Sequence, residues 1–414
     1  YGTRYSKSVE PGMSFLPVDE QIVLIRRGTE EIIPEEDLRE KLERSRKTNT
    51  PLVVKLGCDP SRPDLHIGHG VVMRKLRHFQ DLGHQAVLVI GDFTAMIGDP
   101  SGRNKTRPQL TLEETNSNAE SYVDQSKAIL DINKVKIRYN SEWLNNMDFM
   151  DVVKLASSYT VARMLERDDF TKRFQGEVPI SLHELLYPLA QGQDSVELGA
   201  DIELGGTDQK FNLLVGRDLQ KDVGQDPQCI ITTPLLEGTD GSDKMSKSYG
   251  NDIGISDSAN DMYGKTLSIP DEIMLSWYRL AADVDDNFLQ KIKKQLKDNS
   301  INPMEVKREL ARKIVEIYYN KEKAIDAENY FNNVTVSKGM PDEINEFLLD
   351  KEDLLVNIIV DSGLLKSKSE ARRMIKQSAV RIDGEIIKDI QHSLIPGQER
   401  ILKVGKRRFL KVIS

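Results

Sequence analysis

Short apolar segments alternate with helical segments along residues 52 to 236, and this alternation limits the possible folds more than any other feature. The runs "LVVKLGC" (52–58) and "QAVLVIGDF" (85–93) are rich in β-branched residues and bounded by Gly, Pro or Asp, which predicts buried strands. Between them, apolar residues recur at helical spacing: Val72, Leu76, Phe79 and Leu82. Strands joined in sequence through helices predict an α/β fold with a doubly wound parallel sheet.

The alternation continues and then stops near residue 255. We predict a helix near 116–130, a strand at 135–140, helices near 149–166 and 182–198, a strand at 200–206, a helix at 209–222 and a strand at 229–236. Beyond residue 255 the pattern is helical with mixed charge, and the last segment combines a helix at 368–377 with a hairpin at 379–389.

These patterns predict the domain organisation of the chain. The predicted parts are an N-terminal segment with a lead helix (1–50), a Rossmann-like α/β domain (51–240), a loop and α-helical domain (241–335), a linker (336–351) and a small α+β domain (352–414).

Charge and cysteine content restrict the class of protein. Residues 352–414 carry 13 Lys and Arg against 8 Asp and Glu, although the whole chain has a net charge of -8, so a basic module follows an acidic body. The chain has 2 cysteines, which excludes a disulfide framework and suits a reducing compartment. No apolar run approaches the length of a membrane span, and residues 1–15 lack the apolar stretch of a secretory signal. We therefore expect a soluble cytoplasmic protein with no membrane partner.

His66 and His69 lie three residues apart where the first strand leads into a helix. Free backbone N–H groups at a helix start favour phosphate oxygens, and two imidazoles can add hydrogen bonds. A zinc site would need a third ligand that no neighbouring residue supplies, and a purely structural role for two histidines at a turn is an equally good interpretation.

A second polar stretch, "GSDKMSKSYGN" (241–251), has Lys244 and Lys247 three apart in a glycine-flanked segment. It is typical of a mobile loop that closes two ammonium groups over a polyphosphate. Both stretches follow predicted strands, as do "GDFTAMIGDPSGR" and "LGGTDQ". Because the carboxyl ends of parallel strands share one edge of a sheet, we expect all four to meet there.

The sequences "HIGH" at 66–69 and "KMSKS" at 244–248 resemble the two signatures of class I aminoacyl-tRNA synthetases. From about residue 20 to the carboxyl end, the chain is similar to the bacterial-type tyrosyl-tRNA synthetases. The resemblance implies a homodimer with a dimer-forming insertion at about 140–200, a helical anticodon-binding domain and a C-terminal RNA-binding domain. It also implies L-tyrosine, ATP and tRNA(Tyr) as substrates, with Mg²⁺ carried by ATP and no metal held tightly by the protein.

The resemblance also implies the site residues. For catalysis these are His66, His69, Lys244 and Lys247. For tyrosine they are Lys55, Thr94, Asp99, Tyr187, Gln191, Asp194 and Gln209. For ATP they are Gly57, Asp59, His66, Gly68, His69, Gly206, Asp208, Lys244, Met245, Ser246 and Lys247. Independently of the resemblance, Tyr187, Gln191 and Asp194 fall at i, i+4 and i+7, so on a helix they share one face.

Lys55 departs from the family pattern, in which many members have a second tyrosine that contacts the phenol hydroxyl. A lysine there could hydrogen-bond to the substrate or pair with Asp194. Arg103 and Arg107 are candidates for binding tRNA or pyrophosphate, and solvated loop arginines are an equal alternative. Three other functions stay open: a non-catalytic RNA-binding descendant, a related nucleotidyltransferase, and a ligase for another amino acid such as tryptophan.

Overall fold

The computed structural model describes residues 15–99, 111–333, 344–383, 385–397, 399–405 and 408–413. Residues 1–12 and the candidate arginines Arg103 and Arg107 lie outside the described residues. Internal contacts divide the chain into two compact units, residues 1–320 and 321–414.

The first unit contains a six-stranded sheet surrounded by helices. Its strands are β1 (Glu31–Ile33), β2 (Val53–Cys58), β3 (Gln85–Ile90), β4 (Val135–Tyr139), β5 (Ile202–Gly206) and β6 (Cys229–Thr233). The helices up to β6 are α1 (Val18–Arg26), α2 (Glu35–Thr48), α3 (Ile67–Asp81), α4 (Asp92–Ile97), α5 (Leu112–Ser126), α6 (Ser141–Leu144), α7 (Phe149–Ser157), α8 (Val161–Met164), α9 (Asp168–Gln175), α10 (Leu182–Leu198) and α11 (Lys210–Asp222).

The strand order is β1-β6-β5-β2-β3-β4, with β1 antiparallel to β6 and all other neighbours parallel. The chain runs outward from β2 through β3 to β4 and then returns to β5 on the opposite side of β2. The strand order therefore reverses between β2 and β5, and their carboxyl ends, Cys58 and Gly206, border the crevice where such sheets bind ligands. This confirms the predicted doubly wound parallel sheet.

Both faces of the sheet are buried, as a doubly wound sheet requires. Along β3, Leu88 packs into a core with Leu56, Leu76 and Phe79 on one face. On the other face, Val87 and Val89 pack with Trp143, Leu144 and Ala190. Alternate side chains of one strand thus meet two separate helical layers.

The sequence predictions were wrong at several places in this unit, of which three concern the strands and the insertion. The predicted helix 149–166 is divided into α7 and α8, because Thr160 caps a new helix by accepting a hydrogen bond from the backbone N–H of Arg163 (3.2 Å). The strand predicted to reach residue 93 ends at Ile90, and Asp92 begins α4. The short edge strand β1 was not predicted, since three residues are too few to show an alternating pattern.

Helices complete the first unit and agree with the predicted end of the strand pattern. They are α12 (Ala259–Leu267), α13 (Met274–Leu280), α14 (Asp286–Lys297) and α15 (Pro303–Tyr318), with short 3-10 helices at Thr207–Gln209, Lys247–Tyr249 and Asp271–Ile273. The fully buried side chains of Tyr263, Trp277 and Tyr278 lie in this helical part.

The second unit is α+β. It comprises α16 (Lys321–Phe331), β7 (Glu346–Leu348), β8 (Asp353–Leu354), α17 (Leu355–Asp361), α18 (Lys368–Lys376), β9 (Val380–Ile382), β10 (Glu385–Ile387), β11 (Ser393–Leu394), β12 (Arg400–Val404) and β13 (Arg408–Ile413). The main sheet has the order β10-β9-β12-β13-β7, and the antiparallel pairing of β9 with β10 confirms the predicted hairpin. In neither unit do the described residues form a helix long and apolar enough to cross a membrane.

Candidate active site

A cleft of about 720 Å³ opens at the carboxyl ends of β2 and β5. It is lined by residues from the four strand-exit stretches, which the fold brings together as predicted. Predicted site residues in its wall are His66, Gly68, His69, Asp99, Gly206, Asp208, Gln209, Lys244, Met245, Ser246 and Lys247. Gly57 is exposed, and a Cβ built on it would meet nothing within 4 Å, so the end of β2 leaves open space.

The two histidines form the start of α3. His66 is the N-cap residue, and its backbone N–H donates to Nδ1 of His69 at 3.2 Å. With Nδ1 used as an acceptor, neutral His69 carries its proton on Nε2 and is a donor there. A Cβ at Gly68 would lie 2.9 Å from Nδ1 of His66, so a larger residue here would displace that imidazole.

Burial keeps both imidazoles neutral. It lowers the pKa of His66 to about 2, with the His69 ring and the Lys247 ammonium adding to the effect. It lowers the pKa of His69 to about 4. The histidines therefore present neutral hydrogen-bonding groups to a ligand near pH 7, and the positive charge of the cleft comes from lysine and arginine.

The lysine loop is held against the helix start by backbone and side-chain contacts. The Ile67 N–H donates to Ile253 O, and the Ile255 N–H donates to Leu65 O, both at 2.9 Å, so the segment after the loop pairs with the start of α3. Within the loop, Lys244 pairs with Asp208 at 3.3 Å and Lys247 pairs with Asp64. Arg62 donates to Ser248 at 2.9 Å. Both ammonium groups thus lie over the cleft, about half exposed.

A chain of hydrogen bonds leads from the cleft into the protein. Gln209 donates to Asp99 at 3.0 Å, and both residues line the cleft. The amide of Asn212 donates to Gln209 and to Gln191, each at 3.0 Å, and Gln191 donates to Glu203 at 3.3 Å. The cleft is therefore continuous with a buried polar region along α10.

A second chain begins at Tyr187, whose hydroxyl donates to Asp59 at 2.8 Å. The Thr94 hydroxyl donates to the same carboxylate at 2.7 Å and accepts from the Asn140 amide at 3.0 Å. This amide also lies 3.5 Å from Asp194. The predicted residues Asp59, Thr94, Tyr187 and Asp194 therefore belong to one buried network.

Asp194 lies at the far end of this network and is 2% exposed. The indole N–H of Trp143 donates to its Oδ1 at 2.9 Å. Burial raises the pKa of Asp194 to about 7, while the charge of Lys55 and the donors Trp143 and Asn140 lower it. Asp194 is thus a buried acceptor that can take a further hydrogen bond.

Lys55 is enclosed by polar groups of the protein itself. Its Nζ lies 2.9 Å from Glu203 and donates to the Gln191 backbone oxygen at 3.0 Å and to the Ser195 hydroxyl at 2.9 Å. An ammonium has three N–H donors, and these three acceptors use all of them. The ion-pair partner of Lys55 is therefore Glu203 and not Asp194, because β5 lies beside β2 and places Glu203 opposite Lys55. The direct contact of Lys55 with tyrosine stays a prediction.

Several residues of the site were missed by sequence reasoning. They are Arg62, Asn140, Trp143, Arg167, Glu203 and Asn212. Asn140 and Trp143 could have been found, because they follow the carboxyl end of β4 as the strand-exit rule requires. Arg167 could not, since the insertion has no motif; it is buried, donates to Asn212 at 3.1 Å and lies 3.6 Å from Asp99.

Two protein-family models match this chain. The family described as tRNA synthetases class I (W and Y) matches residues 47–335, and the S4 domain matches residues 354–399. The fold and site thus define a class I aminoacyl-tRNA synthetase.

Similar proteins identify the family within this class. A tyrosine–tRNA ligase of Salinibacter ruber is 54% identical over 97% of this chain and 98% of its own length. One of Thermotoga maritima is 51% identical over 95% of this chain and 97% of its own length. The crystal structure of a tyrosyl-tRNA synthetase from Archaeoglobus fulgidus, complexed with L-tyrosine, superposes with a TM-score of 0.62 at 25% identity, covering 75% of this chain and 99% of that one. The chain belongs to the tyrosyl-tRNA synthetase family, and its activity is that of a tyrosine–tRNA ligase.

Proposed function

We propose that this chain converts L-tyrosine and ATP to tyrosyl-adenylate and pyrophosphate in the cleft, and then transfers the tyrosyl group to the terminal adenosine of tRNA(Tyr). The observation that carries the choice of tyrosine is Asp194, a buried carboxylate that accepts from Trp143 and Asn140. A tyrosine hydroxyl supplies the further donor that this carboxylate can accept. Phenylalanine would leave the acceptor unpaired, and a buried unpaired polar group is costly.

The other end of the amino acid lies near the cleft in this proposal. Tyr187, Gln191 and Asp99 surround the substrate ammonium, and Gln209 lies near its carboxylate. Support comes from the Asn212 amide, which donates to Gln209 in the cleft wall and to Gln191 in the buried polar region and so joins the two. The tyrosine carboxylate would then meet the α-phosphate of ATP where these two regions join.

In this proposal ATP occupies the cleft and lies against the two signature segments in its wall. Gly57, Asp59, Gly68, Gly206 and Asp208 border the nucleoside, and Met245 and Ser246 carry the lysine loop over it. The tyrosine carboxylate attacks the α-phosphate in line, and pyrophosphate leaves. Catalysis needs only correct positioning and stabilisation of the charge that develops on the phosphates.

The charge is stabilised by neutral and cationic donors together. His69 donates from Nε2 and His66 from its partly exposed ring, while Lys244 and Lys247 exchange their carboxylate partners Asp208 and Asp64 for phosphate oxygens. These ion pairs are about half exposed, so they are weak and easily exchanged. Mg²⁺ enters with the ATP phosphates and neutralises part of their charge.

The second unit supplies RNA affinity in this proposal. The excess of Lys and Arg in residues 352–414 and the S4 match at residues 354–399 support binding of the tRNA phosphate backbone. The helices α12 to α15 would contact the anticodon arm. The free thiols Cys58 and Cys229 are typical of a reducing compartment, and we place the enzyme in the cytoplasm.

We also propose that the enzyme is a homodimer joined through the insertion. Seven large apolar side chains between residues 149 and 182 are exposed: Phe149, Met150, Val153, Val161, Phe174, Val178 and Leu182. Helix α7 has no buried residue at all, although it is mostly apolar. Apolar clusters of this kind on soluble domains mark interfaces, and a second copy of the same chain supplies a self-complementary partner.

Replacing both Phe149 and Phe174 with glutamate is expected to weaken the dimer by about 100-fold or more, because each unpaired carboxylate would be buried at the interface. Sedimentation velocity at decreasing protein concentrations measures the change. Val23 on α1 is 69% exposed and lies outside the insertion, so Val23→Glu is the matched control and should leave the dimer intact. A double variant that still sediments as a dimer would contradict the proposed interface.

The function itself is tested by amino-acid-dependent exchange between ATP and pyrophosphate. Exchange with tyrosine, and none with tryptophan or phenylalanine at equal concentration, is the expected result. Exchange with tryptophan would identify a different ligase, and its indole would leave Asp194 without a phenol partner. If no amino acid supports exchange, the chain is a non-catalytic RNA-binding protein.

A further inference from the structure

Lys55 and Glu203 form an ion pair that is closed to solvent beneath the proposed tyrosine site. Both side chains are 0% exposed, and the Nζ–Oε1 distance is 2.9 Å. They lie on adjacent strands, β2 and β5, at the point where the strand order reverses. Since removing two charges from water costs free energy that the pair only partly recovers, a purely structural purpose is a weak explanation for it.

The pair holds Gln191 from two sides. Lys55 donates to the Gln191 backbone oxygen, and the Gln191 amide donates to Oε1 of Glu203 at 3.3 Å. The remaining Gln191 oxygen accepts from Asn212. With the backbone and both ends of the amide engaged, the side chain is held in a single orientation.

Glu203 is itself held in place. Its Oε2 accepts from the Ser195 hydroxyl at 3.0 Å and from the Gln228 amide at 2.5 Å. Ser195 also accepts from Lys55 and directly follows Asp194 in α10. The ion pair therefore fixes the turn of α10 that carries both Gln191 and Asp194.

The pair also acts on the charge of Asp194. Lys55 on β2 lowers the Asp194 pKa and Glu203 on β5 raises it, with the lysine effect the larger of the two. The segment packed on the other side contributes the neutral donors Asn140 and Trp143. Asp59 is separated from Asp194 by two hydrogen-bonded residues, Thr94 and Asn140. In sum the pair favours the ionised carboxylate.

We propose that Lys55 and Glu203 are positioning residues for tyrosine recognition. They fix the turn of α10 that orients Gln191 toward the substrate ammonium and Asp194 toward the phenol, without touching the substrate. This inference rests on the proposed roles of Gln191 and Asp194. In this proposal Lys55 contributes to the choice of amino acid through Gln191 and Asp194, and not by contact with tyrosine.

The test replaces both members, Lys55→Met with Glu203→Gln, because Lys55→Met alone would leave an unpaired buried carboxylate and endanger folding. We expect the KM for tyrosine to rise about tenfold and the KM for ATP to change by less than about twofold. The acid limb of kcat/KM for tyrosine should move to higher pH, since the favourable charge on Asp194 is lost. A merely structural role would lower the melting temperature without moving that limb.

Lys41 provides the matched control, because it is also a buried lysine and pairs with Asp226 at 2.8 Å outside the site. Lys41→Met should destabilise the protein while leaving the tyrosine KM and the pH profile unchanged. Asp194→Asn, measured alongside, distinguishes a failure of the proposed tyrosine site from a failure of the positioning role of Lys55 and Glu203. If it abolishes selectivity for tyrosine while the double variant keeps the wild-type KM and pH profile, the positioning role is overturned and the proposed site stands. If Asp194→Asn has no effect, the proposed site itself fails.

Discussion

Asp194→Asn is expected to lower kcat/KM for tyrosine by about 100-fold, because a hydrogen bond to a buried charged acceptor is worth about 1.5–3 kcal/mol. Asparagine keeps the volume of the side chain but removes its charge, and its amide presents donors toward Trp143 or the phenol. The kcat/KM for phenylalanine should change far less, because phenylalanine has no hydroxyl to make this hydrogen bond. ATP–pyrophosphate exchange at varied amino-acid concentration measures both substrates.

The pH dependence of kcat/KM for tyrosine is a second test of the role of Asp194. The pKa of Asp194 is about 7, so the wild-type kcat/KM for tyrosine should fall as the pH drops through about 7 and the carboxylate takes up a proton. Asp194→Asn should lack this limb.

Stability should change in the opposite sense. The folded-state pKa of Asp194 lies above its ordinary value of 3.8, so folding stability is lost as the pH rises from 3.8 to about 7 and stays reduced above that. Asp194→Asn should therefore be at least as stable as the wild type at pH 8. Thermal unfolding of both proteins at pH 8 measures this, and a clearly less stable variant would contradict the raised pKa.

A buried acid elsewhere controls for general damage in the Asp194 experiment. Asp283 is largely buried and lies 2.8 Å from Nε2 of His78, away from the cleft. Asp283→Asn should reduce stability and leave the ratio of tyrosine to phenylalanine use unchanged. An Asp194→Asn variant that kept the wild-type ratio would refute the role of this carboxylate in selection.

His69→Ala is expected to lower kcat for adenylate formation by about 10²–10³-fold, the usual effect of removing one preorganised donor to a developing charge. His69 donates from Nε2 because its Nδ1 accepts from the His66 backbone. The KM for tyrosine should stay within about threefold, since the proposed tyrosine site is the network around Asp194. Single-turnover formation of tyrosyl-adenylate measures the chemical step directly.

His84 gives the matched control for this variant. It is a buried histidine whose pKa is also lowered to about 4 by burial, and it bonds to Gln21 at 2.9 Å, outside the cleft. His84→Ala should lower the melting temperature and leave kcat unchanged. Equal losses of kcat in both variants would mean that His69 acts only through stability.

Much of the site could be predicted from sequence because its residues are local in their placement. His66 and His69 lie at one helix start, and Tyr187, Gln191 and Asp194 share one face of α10, so spacing alone brings each group together. The structure also confirms that the strand-exit stretches share one cleft, as a parallel sheet requires. Pro188 within α10 does not interrupt the helix.

Other contacts could not be predicted, because they join residues far apart in sequence. Arg167 approaches Asp99 only because the insertion folds back onto α11, and no pattern in residues 140–200 indicates this. The lysine loop was predicted to act on phosphates, but its resting partners Asp208 and Asp64 depend on how the loop lies over the cleft.

The sequence by itself determined the alternation of strands and helices, the doubly wound class of the sheet and the two signature segments at its edge, because each depends on residue type and spacing within a few turns of chain. The tertiary structure alone decided that Lys55 pairs with Glu203. That outcome depends on the order of the strands, since a side chain on β2 meets whichever strand lies beside it, and the residue pattern of β2 does not specify that β5 is this neighbour.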